Sequence, residues 1–120
     1  MKKTILFIAV TLLFFSVEKS MAQVPDKQIP AAQYYVGGQD AMYKMINDNK
    51  TYPVNAKRNR IQGECIIHIF IEEDGRISIA SVVKNIGGGC GEESLRLIKM
   101  LKFKPPGFRV STDIPVLFKL

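Results

Sequence analysis

The chain has 120 residues, 17 basic against 11 acidic side chains for a net charge of +6, and 47% hydrophobic residues. That is long enough for one core and too short for two domains. The positive excess is modest and scattered, with no tight patch interleaved with aromatics, which argues against a nucleic-acid binder.

The chain opens Met1-Lys2-Lys3 and runs into an apolar stretch from Ile5 to Val17, broken only by Thr11 and Ser16. Small residues follow at Ser20 and Ala22. A basic start, a short apolar core and small residues before a cut predict a secretory signal peptide over residues 1–22. The stretch is shorter than the roughly 20 apolar residues that a spanning helix needs. The alternative is an uncut segment that anchors the chain in the inner membrane. No cysteine follows the apolar run, so a lipid anchor on a mature N-terminal cysteine is not indicated.

Residues 23–36 carry Pro25 and Pro30 without periodicity and read as an extended, mobile lead-in. Gly37-Gly38 then punctuates the chain, and one domain is expected over residues 37–120. Met42, Met45 and Ile46 fall at helical spacing, with Asp40 in the first turn, so a short amphipathic helix is predicted over Gln39–Asn49. Pro53 opens a second short helical segment that runs to about Arg60.

Cys65 to Glu72 alternates strictly. Cys65, Ile67, Ile69 and Ile71 share one face, and Ile66, His68 and Phe70 share the other. The Glu73-Asp74-Gly75-Arg76 turn and a returning strand from Arg76 to Lys84 complete a hairpin. A glycine run, Gly87-Gly88-Gly89, leads into a helix from about Gly91 to Lys102. Its acidic first turn and basic last turn complement the helix dipole. Pro105-Pro106-Gly107 stops it. Val110 to Leu120 is the last strand. Pro115 cannot donate a ladder hydrogen bond, which makes this an edge strand with the proline on the open side. The expected fold is α+β in two layers, a three-stranded antiparallel sheet with two helices on one face.

The chemistry-bearing residues read mostly as structural. Cys65 and His68 are three apart in a strand and point to opposite faces, so they form no nucleophile–base pair. Glu72, Glu73 and Asp74 sit at a hairpin tip without metal-ligand spacing. The glycine run lacks the lysine of a phosphate loop, and Glu92 and Glu93 behind it repel phosphate. No nucleophile, base and orienter are seen together, so no enzyme, cofactor or metal is expected. With Asp74-Gly75 as the tip, Cys65 falls opposite roughly Lys84, at the end of the sheet where the second helix starts near Cys90. A disulfide there would contribute about 3 kcal/mol; two buried free thiols are the other reading.

In order, Gly37-Gly38, Tyr52-Pro53 with Ala56, Ile61-Gln62-Gly63, the alternating strand, Asp74-Gly75-Arg76, Glu92-Glu93, Phe103-Lys104-Pro105, and Ile114-Pro115-Val116 with Phe118 resemble the C-terminal domain of the TonB family. The likeness covers about residues 34–120. It implies a periplasmic domain that grips an extended peptide, the TonB box, near the N-terminus of an outer-membrane transporter. The peptide pairs with the last strand. Carried onto this chain, the contacts are Val110, Ser111, Thr112, Asp113, Ile114, Val116 and Phe118, with Asn49 and Lys50 beside them. A full TonB also has a membrane anchor, which engages motor proteins, and a long Pro-rich spacer. Residues 23–36 reach only about 50 Å when extended, so motor partners are expected only if the N-terminal segment stays uncut. Phe103 stands where the family often has tryptophan, and Ser111 to Asp113 is a polar run on the edge. The same edge could instead pair with a second copy, giving a self-pairing or regulatory homodimer.

Overall fold

The computed structural model describes Pro25 and residues 27–120; the expected signal peptide lies outside them. Within the described residues, a 3-10 turn at Pro30–Tyr34 precedes helix α1 (Gly38–Asn49) and the one-turn helix α2 (Val54–Arg58). The hairpin β1 (Gly63–Ile71) and β2 (Ile77–Lys84) follows, then helix α3 (Cys90–Lys99) and strand β3 (Val110–Phe118). The strand order is β2-β1-β3, both pairings antiparallel, so β3 is an edge strand as its proline predicts.

The alternation of β1 decides the layering. Cys65, Ile67, Ile69 and Ile71 are fully buried, and they meet Leu97 and Ile98 of α3 and Met42, Tyr43 and Ile46 of α1 in one core. Each buried isoleucine contributes about 1.5–3 kcal/mol relative to exposure. Both main helices lie on this inner face. The outer face keeps Ile79, Val83 and Leu117 exposed. Two register shifts, between Ile66 and Ile67 and between Phe70 and Ile71, interrupt the β1–β2 ladder. Such bulges sharpen the local twist.

Three expectations differ from the structure. Helix α3 ends at Lys99 rather than Lys102, because Met100 and Leu101 donate to Leu97 and Ile98 in tight i→i−3 bonds. Leu101 and Phe103 then turn into the core, and Phe103 forms an isolated bridge with Tyr35. Second, the lead-in is not simply extended. Ile29, Ala31 and Ala32 belong to the core, and the backbone of Tyr34 accepts from Lys104 N at 2.7 Å. The apolar residues of this segment are too few to show a period, so only packing reveals its place.

The third correction concerns the cysteines. Cys65 and Cys90 are free thiols, both fully buried, in place of the disulfide considered from sequence. Each fills the core as a small apolar side chain. Burial, with Cys65 and the charge of Glu92 nearby, raises the Cys90 pKa, so its thiol stays protonated. Cys65→Ser is expected to lower the melting temperature equally with and without reductant; a loss confined to oxidising conditions would indicate a bridge.

The hairpin turn is fixed by Gly75, at φ +92°, where an added Cβ would sit 2.3 Å from the Phe103 carbonyl oxygen. Neither the backbone angle nor the space accepts a side chain. Gly75→Ala is expected to destabilise the domain by about 2–3 kcal/mol, read as a lower midpoint in urea with unchanged slope.

The open edge of the third strand

Strand β3 pairs with β1 in unbroken register from Gly63↔Phe118 to Ile71↔Val110. Its side chains alternate. Thr112, Ile114, Val116 and Phe118 are buried against the helices, whereas Ser111, Asp113 and Leu117 are exposed. Four expected contact residues therefore turn their side chains into the core. Ser111 and Asp113 alone among the expected strand contacts carry exposed side chains.

The main chain of β3 alternates too. Tyr43 of α1 donates its hydroxyl to the Pro115 carbonyl at 2.7 Å, and Lys50 Nζ donates to the Leu117 carbonyl at 2.5 Å. Pro115 has no N–H to give. Together these features set the main-chain groups of Ser111, Asp113, Pro115 and Leu117 away from β1, along the open edge. The Tyr43 pKa is raised, mainly by burial and then by the charge of Glu64, which keeps the phenol a donor. Sequence reasoning missed Tyr43 as an edge residue, because its spacing marks it only as core.

Lys50 reaches the edge because a small network holds its loop. Glu93 accepts from Thr51 N at 2.7 Å and pairs with Arg96, Nη2 to Oε2 at 2.6 Å, while Arg96 Nη2 also donates to the Asn49 carbonyl at 2.9 Å. Lys50 Nζ lies 5.4 Å from the centroid of the Phe118 ring, and burial lowers its pKa. The structure therefore brings Lys50 to β3. Asn49 instead turns its amide back to the Met45 carbonyl of its own helix.

Burial opposes ionisation of Glu93, but the bonds from Arg96 and Thr51 outweigh it, so its pKa lies below the ordinary value. A carboxylate depressed in the folded state gives stability that is present above the unfolded pKa and is lost as pH falls through the folded one. Unfolding free energy is thus expected to drop on acidification below about pH 4.5, and Glu93→Gln to flatten that part of the pH profile.

On the outer face, the β1–β3 register sets His68 opposite Asp113. His68 Nδ1 and Asp113 Oδ1 are 2.5 Å apart, and His68 Nε2 is 3.0 Å from Ser111 Oγ. The His68 ring meets Phe70 edge-on, and the Arg109 guanidinium stacks 4.3 Å above Phe70 while its Nε contacts Glu72 at 3.1 Å. No serine–histidine–aspartate set was expected, because Ser111 and Asp113 are more than 40 positions from His68; only strand pairing joins them. The connectivity is that of a nucleophile, base and orienter. The groove beside it, however, is lined by Asp113 and not by Ser111 or His68. Ser111 is exposed on the outer face of the strand. The trio ties the edge strand to the sheet centre. Of the hairpin-tip acids, Asp74 is engaged by Arg76 and Glu72 by Arg109.

That groove has a volume of about 390 Å³ and separates β3 from the segment at Pro25–Pro30. Gln39, 9% exposed at the start of α1, holds the segment in place. Its Oε1 accepts from Ile29 N at 2.6 Å, and its Nε2 donates to the carbonyls of Pro25 and Lys27 at 3.1 and 3.0 Å.

The chain is a small α+β domain whose last strand leaves one row of main-chain groups at the edge of its sheet. Residues 48–120 match the family described as Gram-negative bacterial TonB protein C-terminal, and the chain belongs to that family. Two solution structures of the Helicobacter pylori TonB C-terminal domain are similar to it. The longer form is 25% identical with a TM-score of 0.60, covering 80% of this chain and 97% of that one. The shorter is 29% identical with a TM-score of 0.53, covering 63% and 86%. No curated protein matches. The chain is thus a TonB-like, transport-associated domain. Among the described residues no helix is long and apolar enough to cross a membrane.

Proposed function

We propose that this domain works in the periplasm and recognises the extended N-terminal peptide of TonB-dependent outer-membrane transporters, the TonB box, by adding it as a fourth strand to β3. The observation that carries this reading is the outward main-chain row of Ser111, Asp113, Pro115 and Leu117, with Tyr43 and Lys50 as its side-chain donors. An added strand gains affinity from main-chain hydrogen bonds and selectivity from alternate side chains. Partner side chains on the outer face would lie beside Ser111 and Asp113. Residues 1–22 direct export and are removed; inner-membrane motor proteins enter only if they are retained.

Two experiments test this. In an amide-shift titration of residues 23–120 with a TonB-box peptide from a transporter of the same genome, shifts are expected on Val110–Phe118 and around Lys50. An unperturbed β3, with tumbling that indicates a dimer, would overturn the reading in favour of self-pairing. The second uses the strand's own tolerance of proline at an outward position. Ser111→Pro is expected to fold yet weaken the peptide by about 1 kcal/mol, roughly five-fold in Kd. Thr112→Pro, which removes an N–H from the β1 ladder, is expected to unfold the domain.

A further inference from the structure

The segment ahead of the matched region lies along the edge that the family peptide would occupy, and the way it lies there is informative. Among the described residues, no main-chain hydrogen bond joins Pro25 or residues 27–29 to β3. The segment is not a substitute strand. Gln39 takes up three of its polar main-chain groups, the carbonyls of Pro25 and Lys27 and the N–H of Ile29. What remains between is the groove of about 390 Å³. At ~30 Å³ per water, that is the volume of on the order of a dozen waters.

We propose that this groove is a two-walled slot for the partner peptide, with β3 as the pairing wall and Lys27 and Gln28 on the opposing wall, positioned by Gln39. The inference rests on the strand-addition reading above and adds residues and a selectivity to it. A strand paired along Ser111 and Asp113 turns every second side chain to the outer face. There it meets Ile66 and Pro115, which form an apolar floor, and the carboxylates of Glu64 and Asp113. Among the described lining residues, two acids against the charge of Lys27 favour a peptide with an apolar side chain over the floor and a neutral or basic one beside Asp113. The occupant is therefore an extended, non-acidic segment of another protein. A second wall would also give a use to the buried glutamine at the first turn of α1 beyond satisfying the Ile29 N–H. It takes three hydrogen bonds to fix a segment that contributes little else beyond Ile29 to the core.

The test uses residues 23–120, which contain every described residue, and a ten-residue TonB-box peptide made with Lys or Glu at the position beside Asp113. With the wild-type protein, shifts are expected on Lys27–Ile29 as well as on β3, and the Lys peptide is expected to bind more tightly than the Glu peptide. Gln39→Glu keeps the acceptor for Ile29 and loses both donors. It is expected to weaken the peptide at least ~5-fold, the scale of one lost hydrogen bond, while β3 shifts persist. Gln39→Leu is expected to weaken it further. If either substitution abolishes folding, the wild-type shifts and peptide-to-Lys27 proximity contacts decide the question. Shifts on β3 with none on residues 27–29 would overturn the slot and leave strand addition standing. Tighter binding by Gln39→Glu would also overturn it, since the segment would then be a guard that the peptide displaces. No shift on β3 would remove strand addition and the slot together.

Discussion

The pairing of β1 with β3 is the constraint on which the rest depends. Nine residues of each strand run in unbroken antiparallel register. This single ladder places Cys65, Ile67, Ile69 and Ile71 of β1 and the even-numbered residues of β3 on the same face, where α1 and α3 cover them. It also sets His68 against Asp113 on the other face, and turns the odd-numbered main-chain groups of β3 outward. A slip of one residue would exchange every one of these assignments. Core, surface network and open edge are three consequences of one register.

An uncovered strand edge is a liability that folded proteins manage. Here Tyr43 and Lys50 take the carbonyls of Pro115 and Leu117, and Pro115 removes one donor. The stretch at Ser111 and Asp113 has only a side-chain network on its outer face and the Gln39-held segment across a groove. The edge is thus graded along its length, closed by side chains at one end and approachable at the other. The network of Glu93 and Arg96 belongs to the same arrangement, because it fixes the loop from which Lys50 reaches β3.

Much of this was legible in the residues. Strict alternation from Cys65 to Ile71 named the central strand and its buried face. Asp74-Gly75 gave the turn, the glycine run and Glu92-Glu93 gave the start of α3, and Pro115 marked an edge. The family likeness followed from those pieces in order. Less legible was where side chains act. Of the expected peptide contacts, Ile114, Val116 and Phe118 turned out to be core, while Tyr43 and Gln39 were not singled out. The cysteines illustrate the same limit: their common end of the sheet was readable, whereas their state as packed thiols was not.

The sequence by itself determined the elements and their inward faces, because period and turn chemistry are local properties of the chain. Only the tertiary structure decided which groups meet. Ser111, His68 and Asp113 are joined by strand register, Lys50 by a loop that α3 holds, and the Pro25–Pro30 segment by one buried glutamine. Each of those contacts spans ten or more positions, and no local pattern encodes a partner at that distance.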